Sequence, residues 1–220
     1  NAILHELANK KTSDVAIRGM RRFVKSYVRQ ELTEDVLNES MLAPNKNYLI
    51  IGGLGNFGME LSEFIGAVNK GNIFLTSRMN FPKQDNWNLW ISEKGKENSI
   101  SKKIIDLQKI KAQGVNIEIL KVDVTKEQDL IQAKDYIEKN YGLVSGVIHA
   151  AGIVESGMIQ HKTENSLNSV FAAKIQGTKN VCEVFLKINP DFILLCSSMN
   201  SIIGGLGQLD NTAANAFVDS

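Results

Sequence analysis

From residue 47 onward the sequence predicts an α/β fold, a doubly wound parallel sheet with helices on both faces. Short β-branched or apolar runs alternate there with longer segments of helical period. Several of the runs are apolar on both faces, as strands covered by helices on two sides must be. The first run passes through a glycine cluster, GGLGNFG at 52–58, into an amphipathic segment.

Strands are expected at 48–51, 73–76, 115–122, 144–149 and 192–196. Four helical faces lie between them. Phe57, Leu61, Phe64, Ile65 and Val68 form the first, and Ile104, Ile105, Leu107 and Ile110 the second. Leu130, Ile131, Ala133 and Ile137 form the third, and Val170, Phe171, Val181 and Phe185 the fourth. Pro44, Pro82 and Pro190 all fall outside the periodic segments, where a ring that removes an N–H does least harm.

Two stretches break the rhythm. Residues 1–46 carry a basic strand-like run from Ala16 to Tyr27 and then a polar connector, and are assigned to a neighbouring subdomain. Residues 79–100 interrupt the second strand and its helix. Their Trp87 and Trp90, three apart, are expected to pack one short helix onto the body, with partner docking as the alternative. The lysine-rich run from Lys94 to Lys111 reads as a solvated helix face, with a dock for an acidic carrier protein as the alternative.

Composition excludes several classes. A 43% hydrophobic content over 220 residues supports a large core. Twenty-five basic against twenty-four acidic side chains leave a net charge of +1, which argues against nucleic acid as a partner. Cys182 and Cys196 sit in apolar segments without the spacing of a metal site or a disulfide framework, so no metal and a reducing, cytoplasmic setting are expected. No apolar run approaches the roughly 20 residues of a membrane helix. The chain starts at Asn1 without a leader and reads as part of a longer polypeptide.

The glycine cluster carries the chemistry. Gly52, Gly53, Leu54, Gly55, Asn56, Phe57 and Gly58 make the first strand-to-helix turn, where small residues admit a pyrophosphate and the helix start offers free N–H groups. A dinucleotide site follows. After the second strand stand Ser77 and Arg78, where a site for unphosphorylated ribose more usually offers an acid; Arg78 predicts a 2′-phosphate, hence NADPH. Asp123 and Val124 close the third strand near the expected adenine. His149, Ala150, Ala151 and Gly152 end the fourth, the small residues leaving room for the cofactor and His149 being read as packed rather than catalytic.

GGLGNFG, LTSR, VDV, VIHAAG, FAAKIQGT, LLCSS and GGLGQLDNTAANAFVDS resemble, in order and spacing over residues 48–220, the ketoreductase domains of modular polyketide synthases and mixed polyketide–nonribosomal peptide assembly lines. These are a branch of the short-chain dehydrogenases/reductases, with a Rossmann-type fold. The upstream VAIRGMRRFVKSY resembles the final strand of that family's non-catalytic half. The resemblance implies residues 47–220 as the NADPH-binding catalytic half, stopping before the lid and last strand. It implies a carrier protein bearing a phosphopantetheine-linked ketothioester as partner, neighbouring megasynthase domains, and an active site of Lys, Ser, Tyr and Asn. Lys174 lies 24 residues before Ser198 and Asn215 lies 17 after it, as the family requires. At the tyrosine position stands Asn211.

That substitution removes the group that would protonate the nascent alkoxide. General acid catalysis is worth about 10²–10⁴ in rate, so a loss of roughly a thousandfold is expected unless water relayed from Lys174 serves instead. Ile51 and Asn56 also depart from the family's usual Thr and Gly. Neither the Leu-Asp-Asp motif nor the tryptophan that marks product configuration is present; the chain has Ile153-Val-Glu-Ser156 and Ile203 there. Three other readings stand beside the reductase. One is a sugar-nucleotide epimerase, disfavoured because its lysine would fall at Asn215. A second is a reductase-inactive structural domain, and the third a residue 211 engineered to trap a complex.

Overall fold

A computed structural model describes residues 6, 8, 15–19, 21–29, 31 and 41–220. The chain divides into two compact units, 1–40 and 41–220. In the first, β1 (Val15–Arg18) and β2 (Arg21–Val24) pair antiparallel, with Val15 opposite Val24 and Arg18 opposite Arg21. The run expected to be one strand is thus a hairpin. Gly19, at φ +61°, turns the chain where a residue with a Cβ would be strained.

The second unit is the predicted doubly wound sheet. Its elements in order are β3 (Asn47–Ile51), α1 (Asn56–Val68), β4 (Asn72–Ser77), α2 (Trp87–Lys94), α3 (Ser99–Ala112), β5 (Asn116–Lys121) and α4 (Glu127–Tyr141). There follow β6 (Gly146–His149), α5 (Glu164–Phe171), a π turn (Ala172–Gln176), α6 (Gly177–Phe185), β7 (Phe192–Leu195), α7 (Asn200–Ile203) and α8 (Leu209–Val218). The strand order is β5-β4-β3-β6-β7, all parallel. Succession runs outward one way from β3 to β5 and the other way from β6 to β7, so the order reverses between β3 and β6. A crevice opens there, at the carboxyl ends of the strands.

Alternation along β3 feeds two cores. Tyr48 and Ile50 join Ile65, Ile104, Leu107 and Ile110 from α1 and α3. Leu49 and Ile51 join Leu130, Ile137, Val181 and Phe185 from α4 and α6. Residues 41–46 pack with this unit: Tyr48 Oη accepts from Ala43 N at 2.8 Å, and Lys46 N donates to Asn69 Oδ1 at 3.0 Å.

The face of α1 differs from the expected one. Gly58, Ser62, Ile65 and Gly66 face inward, while Phe57 and Phe64 are 56% and 64% exposed. Close approach decides the rotation. A Cβ on Gly58 would lie 2.6 Å from the Gly52 carbonyl and one on Gly66 2.9 Å from Ile110, so only small residues fit against the glycine turn and α3. The insertion behaves as expected. Trp87 is buried and its indole N–H donates to the Pro82 carbonyl at 2.9 Å. Gln84 Nε2 donates to the Ile117 carbonyl and so covers the outer edge of β5. No helix among the described residues is long and apolar enough to cross a membrane.

Candidate functional site

A cleft of about 310 Å³ lies at the β3/β6 switch point. Of the residues expected to hold a cofactor, Gly52, Leu54, Gly55, Ser77, Arg78, Asp123, Val124, Ala150, Ala151 and Gly152 line it. Gly52 has φ +80°, and a Cβ there would lie 2.7 Å from the backbone of Ala151, so β3 and β6 meet in a contact only glycine permits. Gly55 N donates to Gly52 O at 2.9 Å, which folds the turn over the crevice. At the start of α1 no side chain caps the helix and the first turn is free of acids. Its leading N–H groups are therefore free for an anion. This cradle fits a dinucleotide pyrophosphate.

The remaining turn residues support the cradle from outside it. Gly53 packs under Leu75, Gly58 seats α1 on the turn, and Asn56 and Phe57 are exposed on the helix. Asp123 Oδ1 accepts from Thr125 N (3.1 Å) and Thr125 Oγ1 (2.8 Å), and Asn180 Nδ2 donates to Val124 O (2.9 Å), so the β5 terminus is held at its base. Thr76, part of the LTSR motif but given no role by the sequence, accepts through Oγ1 from Gly52 N at 3.1 Å, and sequence reasoning missed Lys103 and Thr125 in the lining.

His149 does not line the cleft. Its ring is buried, and Nε2 donates to the Ala173 carbonyl at 3.2 Å. This ties β6 to the π turn, a widening that recurs at functional positions and here carries Lys174. Burial first, then the Lys174 charge, holds His149 down to about 4 despite the Ala173 bond. The unfolded chain takes up a proton near pH 6.5 that the folded chain refuses, so stability falls as pH drops through that window. From pH 7 to pH 5 the expected loss is about 2 kcal/mol, and it should vanish in His149→Gln. Urea unfolding of both proteins at both pH values checks this; equal losses would remove the assignment to His149.

The four expected active-site positions converge from three elements. Lys174 is 8% exposed, and its Nζ donates to the Cys196 carbonyl just past β7. Burial lowers its pKa from the ordinary lysine value, with Cys196 and Asp219 acting the other way. Gly152 makes room for it, since a Cβ there would lie 2.9 Å from Lys174 Cε. Ser198 Oγ accepts from Asn200 N at 3.2 Å, which leaves its hydroxyl hydrogen for a ligand oxygen.

Asn211, in the first turn of α8, is held by amides. Its Nδ2 donates to Gln208 Oε1 at 3.0 Å, and its Oδ1 accepts from Asn215 Nδ2 at 2.8 Å. Gln208 Oε1 also accepts from Asn200 Nδ2 at 2.6 Å. Ser198, Asn200, Gln208, Asn211 and Asn215 thus form one chain of hydrogen bonds, and no bond among the described residues joins Lys174 to it. Next to it lies a pair absent from the sequence reading. Lys162 Nζ donates to Asp210 Oδ2 at 2.6 Å and to the Glu155 carbonyl, and Asp210 Oδ1 accepts from Asn211 N at 2.9 Å. The loop after β6 is thereby strapped to the start of α8. The chemistry available is phosphate and ribose binding in the cleft, a hydroxyl donor at Ser198 and a buried ammonium at Lys174.

A KR domain family model matches residues 47–220. The chain is 30% identical over 178 residues to a 6-methylsalicylic acid synthase of Penicillium expansum, covering 80% of this chain and 10% of that protein. It is 32% identical over 176 residues to polyketide synthase PksN of Bacillus subtilis (strain 168), covering 80% of this chain and 3% of that one. The chain therefore spans a tenth or less of these relatives. Among solved structures, a ketoreductase domain from the bacillaene assembly line superposes with a TM-score of 0.77 at 26% identity, over 93% of this chain and 44% of that chain. An A-type ketoreductase from a modular polyketide synthase shares the fold, with a TM-score of 0.78 at 19% identity over 99% of this chain and 42% of that one.

Proposed function

Because this chain belongs to the ketoreductase (KR) domain family found in polyketide synthases, we propose that it binds NADPH at the β3/β6 crevice and reduces a carrier-bound ketoacyl thioester to the hydroxyacyl form, slowed by Asn211. Residues 47–220 are the catalytic half in this reading, and 1–46 are the connector and the end of the structural half. A phosphopantetheine-bearing carrier protein and the neighbouring synthase domains are its partners, in the cytoplasm.

The cofactor, when bound, supplies hydride. Gly52, Gly55 and the start of α1 hold its pyrophosphate, Ser77 and Arg78 its adenosine ribose, and Ala150 to Gly152 leave space beside β6. Ser198 donates its hydroxyl hydrogen to the substrate carbonyl oxygen and so stabilises the charge that grows there. Asn211 donates only an amide hydrogen bond and has no proton to give. The alkoxide must then take its proton from water, with the Lys174 ammonium as the replenishing acid.

The observation that carries this reading is an open phosphate cradle beside a site whose proton-donor position is a hydrogen-bonded amide. That same amide favours the second reading, a reductase-inactive domain kept as architecture. The two separate in one assay, NADPH oxidation by the complete polypeptide given a ketothioester on a carrier mimic. Slow turnover above the enzyme-free rate is expected. Tight NADPH binding with no turnover would sink the reductase reading and leave the architectural one.

A further inference from the structure

α3 carries four lysines, and three of them have partners. Lys102 pairs with Glu97 at 2.7 Å, Lys109 with Asp106 at 2.7 Å, and Lys111 donates to Gln84 and lies over the Trp87 ring. Lys103 has none among the described residues. It is half-buried and lines the cleft together with Thr76, Ser77 and Arg78. Arg78 likewise has no ion pair or side-chain hydrogen bond among the described residues. The cleft contains one carboxylate, Asp123, and that side chain is engaged by Thr125.

Two uncompensated cations facing one crevice repel each other unless an anion sits between them. Arg78 follows directly on β4, and Lys103 enters the same crevice from α3. We infer that Lys103 is the second half of a clamp, with Arg78, for the 2′-phosphate of the cofactor, and that the 79–98 insertion sets its position. The inference rests on the NADPH reading above and adds a residue to it. The insertion docks through Trp87, and Asn98 caps α3 by accepting from Ile100 N and Ser101 N. The buried residues Ser101, Ile104 and Leu107 then orient the helix so that position 103 faces the cleft. A phosphomonoester carries nearly two charges, so Arg78 binds it through the planar fork and Lys103 as a point charge.

Affinities of the complete polypeptide for four probes test this: NADPH, NADH, 2′,5′-ADP and 5′-AMP, by fluorescence or calorimetric titration. Lys103→Ala is expected to weaken NADPH and 2′,5′-ADP about tenfold, with NADH and 5′-AMP unchanged within about twofold, and Lys103→Arg to retain most of the affinity. Unchanged NADH binding also serves as the folding control. If Lys103→Ala leaves NADPH affinity intact, or weakens NADH equally, the clamp is wrong while the NADPH reading survives through Arg78. If the parent itself does not distinguish 2′,5′-ADP from 5′-AMP, the NADPH reading fails first and the clamp fails with it.

Discussion

Asn211→Tyr is expected to raise NADPH-dependent reduction of a carrier-mimic ketothioester by about a thousandfold, within the 10²–10⁴ range of general acid catalysis. In the proposed reading the cleft holds the cofactor and the Ser198 hydroxyl meets the carbonyl oxygen, so the variant adds the one function that reading lacks. A phenol is acidic enough to protonate an alkoxide, and the Lys174 ammonium lowers its pKa further. Local cost is small by comparison. The Asn211 side chain gives up bonds to Gln208 and Asn215, but Gln208 keeps Asn200, and Asn215 Nδ2 keeps the backbone carbonyl of residue 211 at 2.8 Å. Two neutral bonds are lost at about 1 kcal/mol each, a cost within the ordinary stability of a domain. Initial rates of NADPH oxidation decide. A parent within tenfold of the variant would mean that a water relayed from Lys174 already acts as the acid. In that event the parent rate should fall as pH rises through the lowered lysine pKa, because only the ammonium replenishes the proton.

Local patterns made most of the sheet legible. β3, β4 and β6 are apolar on both faces and short, so their existence follows from the run of residues alone. α3 and α4 were legible for the same reason, since Ile104, Leu107, Leu130 and Ile137 are the buried stripe. α1 was not, because hydrophobicity points to Phe57 and Phe64 whereas packing is set by the absent side chains of Gly58 and Gly66. Gly52, Leu54, Gly55, Ser77, Arg78 and the Ala150–Gly152 stretch could be placed in the cleft because each follows a strand end. Lys103 could not, as its entry into the cleft depends on how a twenty-residue insertion folds. The 162–210 pair joins residues 48 apart, and no periodicity links a lysine in one loop to an aspartate at the start of a distant helix. Long-range polar pairing is the part of a site that local reading leaves out.

That pair should dominate the stability of the site's outer wall. Lys162 and Asp210 have side chains 6% and 0% exposed, so neither charge is solvated if the other is removed. Burial alone would push the Asp210 carboxyl up; the Lys162 bond and the Asn211 N–H outweigh it and hold its pKa below the ordinary value. The pair therefore stabilises the fold above about pH 4 and is lost as pH falls through the lowered aspartate value. Lys162→Met leaves an unpaired buried carboxylate and is expected to cost about 3–5 kcal/mol. Lys162→Met with Asp210→Asn should recover most of that, because the charge that could not be solvated is gone. Denaturant unfolding of the single and double variants gives the coupling directly. A loss under about 1 kcal/mol for Lys162→Met would mean water reaches Asp210 and the strap is weak. The consequence reaches the chemistry, because Asp210 Oδ1 also fixes the N–H of residue 211. In an Asn211→Tyr background, then, Lys162→Met should lower kcat more than it raises the KM for NADPH, since it frees the position of the proton donor and leaves the β3/β6 cradle intact.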